Sequence, residues 1–408
     1  MFDTPEAEYG LLVIGLFIVP RLLQRYRLPA AIVTLGLGMF SGMYLDLFHN
    51  DAIIQLFSTM GIVSLFLFAG LEVDVVELRD GIGILTQHVV IQVLLLTVGI
   101  IFCTFVFGLA PRPAALYSLA LLTPSTGFIL DSLPSFGLDK TGQFWVRSKA
   151  IATELVALAL LLVVVQSTSA KGLGISLLAI FLMIAVLPSV FRSFARIIAP
   201  YAPGTEFTFL ILVALVCAYI TRRLGVYYLV GAFVVGLSAV RVRREVPSLS
   251  SEKLLAGVQL FASFFIPFYF FKAGLSLDRE VFTTFSILTG IVMAAVLVPL
   301  KTLQVALHRR VTLQESWRAG AHVGLALVPT LVFTLVIGNI LRQQFQLSDS
   351  LYGAMVVFTI INTMIPGIIL HTPPLQFEAP TIPEAPVAIP DAISSAHDAR
   401  TPTKRSEQ

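Results

Sequence analysis

Between residues 9 and 370 the chain passes repeatedly through apolar runs, each close to the length that crosses a bilayer. A transmembrane helix needs roughly 20 predominantly apolar residues. Gly, Pro and charged residues divide the sequence into thirteen such candidates, at about 9–25, 30–47, 51–71, 85–109, 112–131, 146–167, 173–191, 206–222, 226–241, 255–275, 284–307, 316–340 and 350–370. Of the 408 residues 57% are hydrophobic and 12% charged, against about 25% charged in soluble domains. The chain therefore reads as an all-α polytopic membrane protein. Met1–Tyr9 holds three acids and no base, so the first run is expected to remain as a helix and not to be cleaved as a signal peptide. No basic run suggests nucleic acid, and Cys103 and Cys217, each inside an apolar run, read as packing residues.

Charge inside such runs is costly. Glu154 lies in Ala150–Val165, which is otherwise uncharged, and an acid near the centre of a membrane helix costs roughly 2.5–3.5 kcal/mol on insertion scales. Lys301 occupies a second apolar run. A lone acid and a lone base in separate spans point to ion or proton transport. If the amino terminus lies outside, 19 of the 27 bases, Lys149 and Arg309 among them, fall in inner loops and the tail. Six fall outside, and Lys272 and Lys301 fall in spans. Amino terminus out and carboxyl terminus cytoplasmic is the expected topology. Beyond Leu370 the sequence turns rich in Pro, Ala, Ser and Thr, so residues 371–408 are expected to form a disordered cytoplasmic tail after one membrane domain, 1–370.

Two local patterns recur at almost one offset. Ala69–Gly–Leu–Glu–Val–Asp74 returns as Ala273–Gly–Leu–Ser–Leu–Asp278, and Leu122–Thr–Pro–Ser125 returns as Leu327–Val–Pro–Thr330. A shift of seven spans reverses direction across the membrane. This predicts an inverted repeat, one copy over about 9–167, a linker helix at about 173–191, and a second copy over about 206–370. Pro124 and Pro329 each interrupt a span, and a backbone broken at membrane depth is tolerated where it lines a cavity or is buried in protein. Thr123, Ser125, Thr126 and Thr330 stand beside the two breaks. Paired broken helices in matching positions point to a binding site.

Arg27–Leu–Pro29, Phe68–Ala–Gly–Leu–Glu–Val–Asp74, Ser125–Thr–Gly127 and Lys272–Ala–Gly–Leu–Ser–Leu–Asp278, in this order, resemble the monovalent cation:proton antiporter-2 family, which includes the Kef-type potassium efflux systems. The resemblance implies a sodium–proton antiporter-like fold, no cofactor, a homodimer, and a place in a bacterial inner membrane. It sets Thr153–Glu154 where the family carries a polar residue and an aspartate, so Glu154 is expected to hold the monovalent cation or the proton. Lys301 matches the family's basic residue near the broken helices. The chain departs from the Kef pattern by having Glu for Asp and by having Val328–Pro–Thr–Leu–Val where a Gln-Gly-Gly-Glu-Phe motif is usual. It also has no room in its tail for a nucleotide-binding domain.

The functional expectation is exchange of Na+ or K+ for H+ by alternating access, with one acid implying one-for-one electroneutral exchange. A gated potassium efflux system, a sodium-coupled organic anion symporter and a non-transporting sensor remain alternatives. No catalytic constellation suggests an enzyme. Lys301 has three readings: neutralising Glu154, balancing the ends of broken helices, or snorkelling. Asp131 could line a cation funnel or cap a helix. Glu72, Asp74 and Asp278 read as surface acids, Gly36, Gly38 and Gly42 as helix-contact residues, His322 as structural, and Lys272 is open between a buried base and an interface residue.

Overall fold

A computed structural model describes residues 5–48, 50–73, 79, 81–167, 169–202, 204–225, 228–242 and 252–370. Asp74, Arg243, Arg244 and the expected tail lie outside the described residues, as does the side chain of Asp131. The described part is helical throughout. The helices are α1 (Pro5–Leu23), α2 (Ala30–Leu45), α3 (Ala52–Leu71), α4 (Ile82–Phe107), α5 (Pro111–Leu122), α6 (Thr126–Ser132), α7 (Lys140–Gln166) and α8 (Ala170–Ser193). They continue with α9 (Glu206–Arg223), α10 (Tyr228–Val242), α11 (Glu252–Leu275), α12 (Thr284–Leu313), α13 (Trp317–Ala326), α14 (Leu331–Phe345) and α15 (Asp349–Ile369). Among the described residues eight helical stretches are long and apolar enough to cross a membrane, or nine if the bent pair α13–α14 counts as one. The helices α2 and α10 are apolar but shorter, while α1 and α9 carry charged ends. By length and composition alone, the structure thus stops short of thirteen spans. It is a multi-pass membrane protein, with broad apolar surfaces such as Leu94, Val98 and Phe105 of α4 turned outward.

Local sequence sets the boundaries. The Asp51 carboxylate accepts from the Ile54 N–H at 2.8 Å and opens α3. The Asp139 carboxylate does the same for Gly142 at 2.8 Å and opens α7, the helix that carries Glu154. Just before it, Gly137 turns the chain at φ 62°, a conformation that side chains resist.

Two bundles result. One packs α1, α2, α3, α9, α10 and α11 together; the other packs α4, α5, α6, α7, α12, α13, α14 and α15. Helix α8 touches both, through α10 and α7. In the first bundle, α2 crosses α11 where Gly38 faces Gly274, and α3 crosses α10 where Gly70 faces Gly236. A Cβ at Gly274 would overlap the Leu35 carbonyl, and one at Gly70 would lie 2.5 Å from the Phe233 carbonyl oxygen, so the backbones touch only because both positions lack a side chain. Gly38 thus makes the helix contact expected of it. Lys272 of α11 is half-buried and lies within electrostatic reach of Asp51. Asp278 is exposed and pairs with Arg342 at 3.0 Å, and the His322 ring binds the Phe136 carbonyl at 3.0 Å, in keeping with its structural reading. Cys103 and Cys217 are buried free thiols.

The bundles meet along a seam of aromatic side chains. Phe66 of α3 stands edge-on to Phe333 of α14 at 5.7 Å, and Phe270 of α11 stands edge-on to Phe128 of α6 at 6.5 Å.

The glycine crossings yield a direct prediction. Gly274→Val inserts a branched side chain where two backbones touch, and overpacking of this kind costs about 1–3 kcal/mol or more. Its unfolding temperature in detergent is expected to fall well below that of Gly10→Ala, whose added Cβ meets nothing within 4 Å.

Candidate functional site

The two proline breaks lie against each other inside the second bundle. Helix α5 ends at Leu122, and the chain runs through Thr123, Pro124 and Ser125 before α6 begins. Helix α13 ends at Ala326, and Leu327 to Thr330 separate it from α14, with a 50° bend. Neither break can close its own helical hydrogen bonds, so each serves the other. The Ser125 N–H donates to the Pro329 carbonyl at 2.9 Å, the Val332 N–H donates to Ser125 Oγ at 2.9 Å, and the Thr334 hydroxyl donates to the Ala120 carbonyl at 2.9 Å. Thr330 is tied to α15: Asn362 Nδ2 donates to its hydroxyl at 2.8 Å. Every one of these polar groups is buried, as a break in a water-free bundle requires.

Glu154 sits at the seam, 1% exposed. It opens on a small cavity of about 10 Å³ lined by Leu65, Phe66 and Ala69 of α3, the Ser125–Gly127 start of α6, and Val332 and Phe333 of α14. The Thr126 hydroxyl, which also donates to the Ala150 carbonyl at 3.1 Å, is the polar side chain set against the carboxyl group. Oε2 of Glu154 has no hydrogen-bond partner. The first turns of α6 and α14 both border this cavity, so the N-terminal ends of two helices lie beside the acid. A helix N-terminus favours a nearby negative charge by about 0.3–1 kcal/mol when exposed and up to about 2 kcal/mol when partly buried. The empty carboxylate thus has backbone dipoles for company.

Lys301 is placed elsewhere. Its Nζ donates to the Val328 carbonyl at 2.8 Å, just past the C-terminal end of α13. Of its three readings, this geometry favours balancing a broken helix end, where carbonyls concentrate negative charge. With 8% exposure Lys301 does not snorkel. Among the described residues no ion pair joins it to Glu154.

The structure therefore places Glu154, Ser125 and Thr126 on one cavity, while Thr153, which shares the Ala150 carbonyl with Thr126, and Lys301 line another. The Thr153 hydroxyl donates to its own helix, at the Lys149 and Ala150 carbonyls, both 2.9 Å. It lines a second cavity with Pro124, Lys149 and Lys301. Thr123 is buried with an unpartnered hydroxyl and does not line the Glu154 cavity.

Two of the bases assigned to inner loops are corrected. Lys149 lies inside α7 at 5% exposure, and Arg309 lies inside α12 at 2% exposure with its guanidinium on Glu315 at 2.7 Å. Both sit within three residues of span ends set by periodicity alone, and burial came from neighbouring helices that the sequence does not display. Asn362 was also missed, although an amide inside the apolar run of α15 is the same kind of signal that exposed Glu154.

This arrangement defines an antiporter-like membrane fold with a buried acid at crossed broken helices. Residues 12–375 match the family described as "Sodium/hydrogen exchanger, transmembrane", and the chain belongs to that family. It is 25% identical over 370 residues to the probable Na+/H+ antiporter 3 of Methanocaldococcus jannaschii, covering 87% of this chain and 93% of that one. It is 24% identical to the Na+/H+ antiporter of Enterococcus hirae, covering 88% and 95%. In structure it resembles the sodium proton antiporter MjNhaP1 from Methanocaldococcus jannaschii, with a TM-score of 0.66 and 14% identity over 90% of this chain and 95% of that one. The family match stands at the level of sodium/hydrogen exchangers and does not reach the Kef-type group that the sequence resembles.

Removal of the Lys301 amine leaves the Val328 carbonyl buried and unpaired, a loss of about 1–3 kcal/mol. Lys301→Met is expected to lower the unfolding temperature clearly, while Lys301→Arg, which keeps a donor, lowers it less. Equal stability of Lys301→Met and the parent would contradict the assignment.

Proposed function

We propose that the chain is a secondary-active exchanger that moves a sodium ion one way and a proton the other, with Glu154 as the site both occupy in turn. The observation that carries this is the position of Glu154: a buried carboxyl group at the seam of two bundles, beside two crossed breaks, with one oxygen unpartnered. Thr126 and Ser125, with backbone carbonyls freed by the breaks, are the further oxygen ligands in this reading, and hard monovalent cations prefer such donors.

Competition for one carboxylate is sufficient for exchange. A site loaded with Na+ or H+ is close to neutral and can change sides, whereas the bare charge is held back by the cost of exposing it to lipid. Glu154 is the only acid among the buried residues described, which favours one-for-one electroneutral turnover. The aromatic seam favours movement of the second bundle against the first, since apolar contacts between Phe66 and Phe333 and between Phe128 and Phe270 are non-directional. Position 270 follows 66 by 204 residues and 333 follows 128 by 205, so each pair is the image of the other at the spacing of the sequence repeat. Of the crossing glycines, Gly70 and Gly274 also stand 204 residues apart, whereas Gly38 and Gly236 stand 198 apart. The exchanged aromatic pairs support an inverted repeat, and with it two related states of access.

Sodium is the proposed cargo in preference to potassium because the relatives are named as Na+/H+ antiporters. An outside amino terminus, a cytoplasmic carboxyl terminus, a bacterial inner membrane and a homodimer complete the reading.

Purified protein in liposomes, with internal pH followed as NaCl, KCl or LiCl is added outside, tests it. A sodium-dependent pH change is expected in the parent, retained in part by Glu154→Asp and lost in Glu154→Gln. Sodium-driven pH change in Glu154→Gln equal to that of the parent would overturn the proposal, and turnover that varies with a clamped membrane potential would overturn one-for-one stoichiometry.

A further inference from the structure

Between α4, α7, α12 and α13, on a different face of α7 from Glu154, lies a second small cavity of about 20 Å³. Its polar lining comes from Lys149, Lys301, Gln92, Gln304 and Thr153. The Lys149 ammonium, 5% exposed, has no hydrogen-bond partner, and the amide nitrogens of Gln92 and Gln304 have none either. No acidic side chain lines this space. Lys149 and Glu154 stand five positions apart on one helix, roughly 140° around its axis, so the acid faces its own cavity.

One further ammonium and two imidazoles stand around Lys149. Lys301, His88 and His308 are all near enough to interact with it electrostatically. Lys301 is already engaged with Val328. Arg309, at the same end of the bundle, is matched by Glu315. Among the described residues no acid and no hydrogen-bond acceptor pairs with Lys149. A buried ammonium carries three donors and no acceptor, and leaving it unpaired in a low-dielectric interior is among the costliest arrangements a protein can hold. A cavity of this size admits one water-sized occupant. Water would accept hydrogen bonds but bring no charge. Turning either glutamine amide would offer an oxygen, again without charge.

We propose that this cavity is a binding site for a small inorganic anion, a monoatomic halide such as chloride, held by Lys149 and Lys301 and oriented donors from Gln92 and Gln304. The halide accepts from all four groups and balances the positive charge that Lys149 brings into the bundle. It is a resident ion, distinct from the exchanged cation, and its site does not depend on Glu154. The volume excludes a polyatomic anion such as sulfate.

Two measurements on the full-length protein test this. In detergent, at matched sodium concentration and ionic strength, thermal unfolding is compared in sodium chloride, bromide, gluconate and sulfate. Chloride and bromide are expected to raise the unfolding temperature relative to gluconate and sulfate, in a saturable way. Lys149→Met should abolish the halide dependence, and Gln92→Leu, which retains the lysine, should weaken apparent halide affinity by roughly tenfold. Crystals grown in sodium bromide should show an anomalous peak between Lys149 and Lys301. Equal unfolding temperatures in all four salts, a halide effect unchanged in Gln92→Leu, or water without bromide in the cavity would each overturn the site.

Discussion

The hydrogen bonds between the two helix breaks hold the rest of the arrangement in place. A proline in a membrane helix removes one donor and blocks the helical bond of a neighbouring carbonyl, and lipid offers no water to repair the loss. Here the repair is mutual. Ser125 gives its N–H to the Pro329 carbonyl and takes the Val332 N–H on its hydroxyl, so neither break is satisfied without the other. That contact fixes where α5, α6, α13 and α14 cross, and therefore where four helix ends come together at the centre of the bundle.

Those ends sort the buried charges. Helix N-termini border the cavity of Glu154, while the amine of Lys301 lies on the carbonyl just past the end of α13. Acid and base each answer a helix end of opposite polarity, and the pair need not touch. This differs from direct neutralisation of Glu154 by Lys301, and it leaves the acid free of a competing ammonium for the proposed cation. Against this polar centre stands a bundle of a different character, its helices locked at glycine crossings and presenting aromatic rings to the seam. Tight packing within each bundle and non-directional contact between them is the combination that a proposed alternation of access requires.

Much of this was legible in the sequence, for identifiable reasons. Glu154 declared itself because charge is rare in a lipid-spanning run, and Pro124 and Pro329 because proline breaks helices wherever it falls inside one. Phase around a helix was harder to read. Thr153 and Glu154 are adjacent in sequence and look toward different cavities, since successive residues of a helix point about 100° apart. Lys301 was expected beside a break from the resemblance, but which helix end its amine meets depended on the crossing geometry. Lys149 was hidden by its position near the start of α7, where a base is ordinarily solvated. Its burial is imposed by α4 and α12, distant in sequence, and nothing local marks it. Most spans were clear as apolar runs, whereas α2 and α10, with 16 and 15 residues, are apolar but too short to cross a membrane by length alone.

The central claim is that sodium and the proton compete for one carboxyl group. The most direct measurement is the number of protons released into weakly buffered solution when sodium binds to the detergent-solubilised protein, taken across a range of pH. One proton per sodium at acidic pH, falling toward zero at alkaline pH and absent in Glu154→Gln, is the predicted result. Sodium binding with no proton release at any pH, or release that persists unchanged in Glu154→Gln, would contradict it.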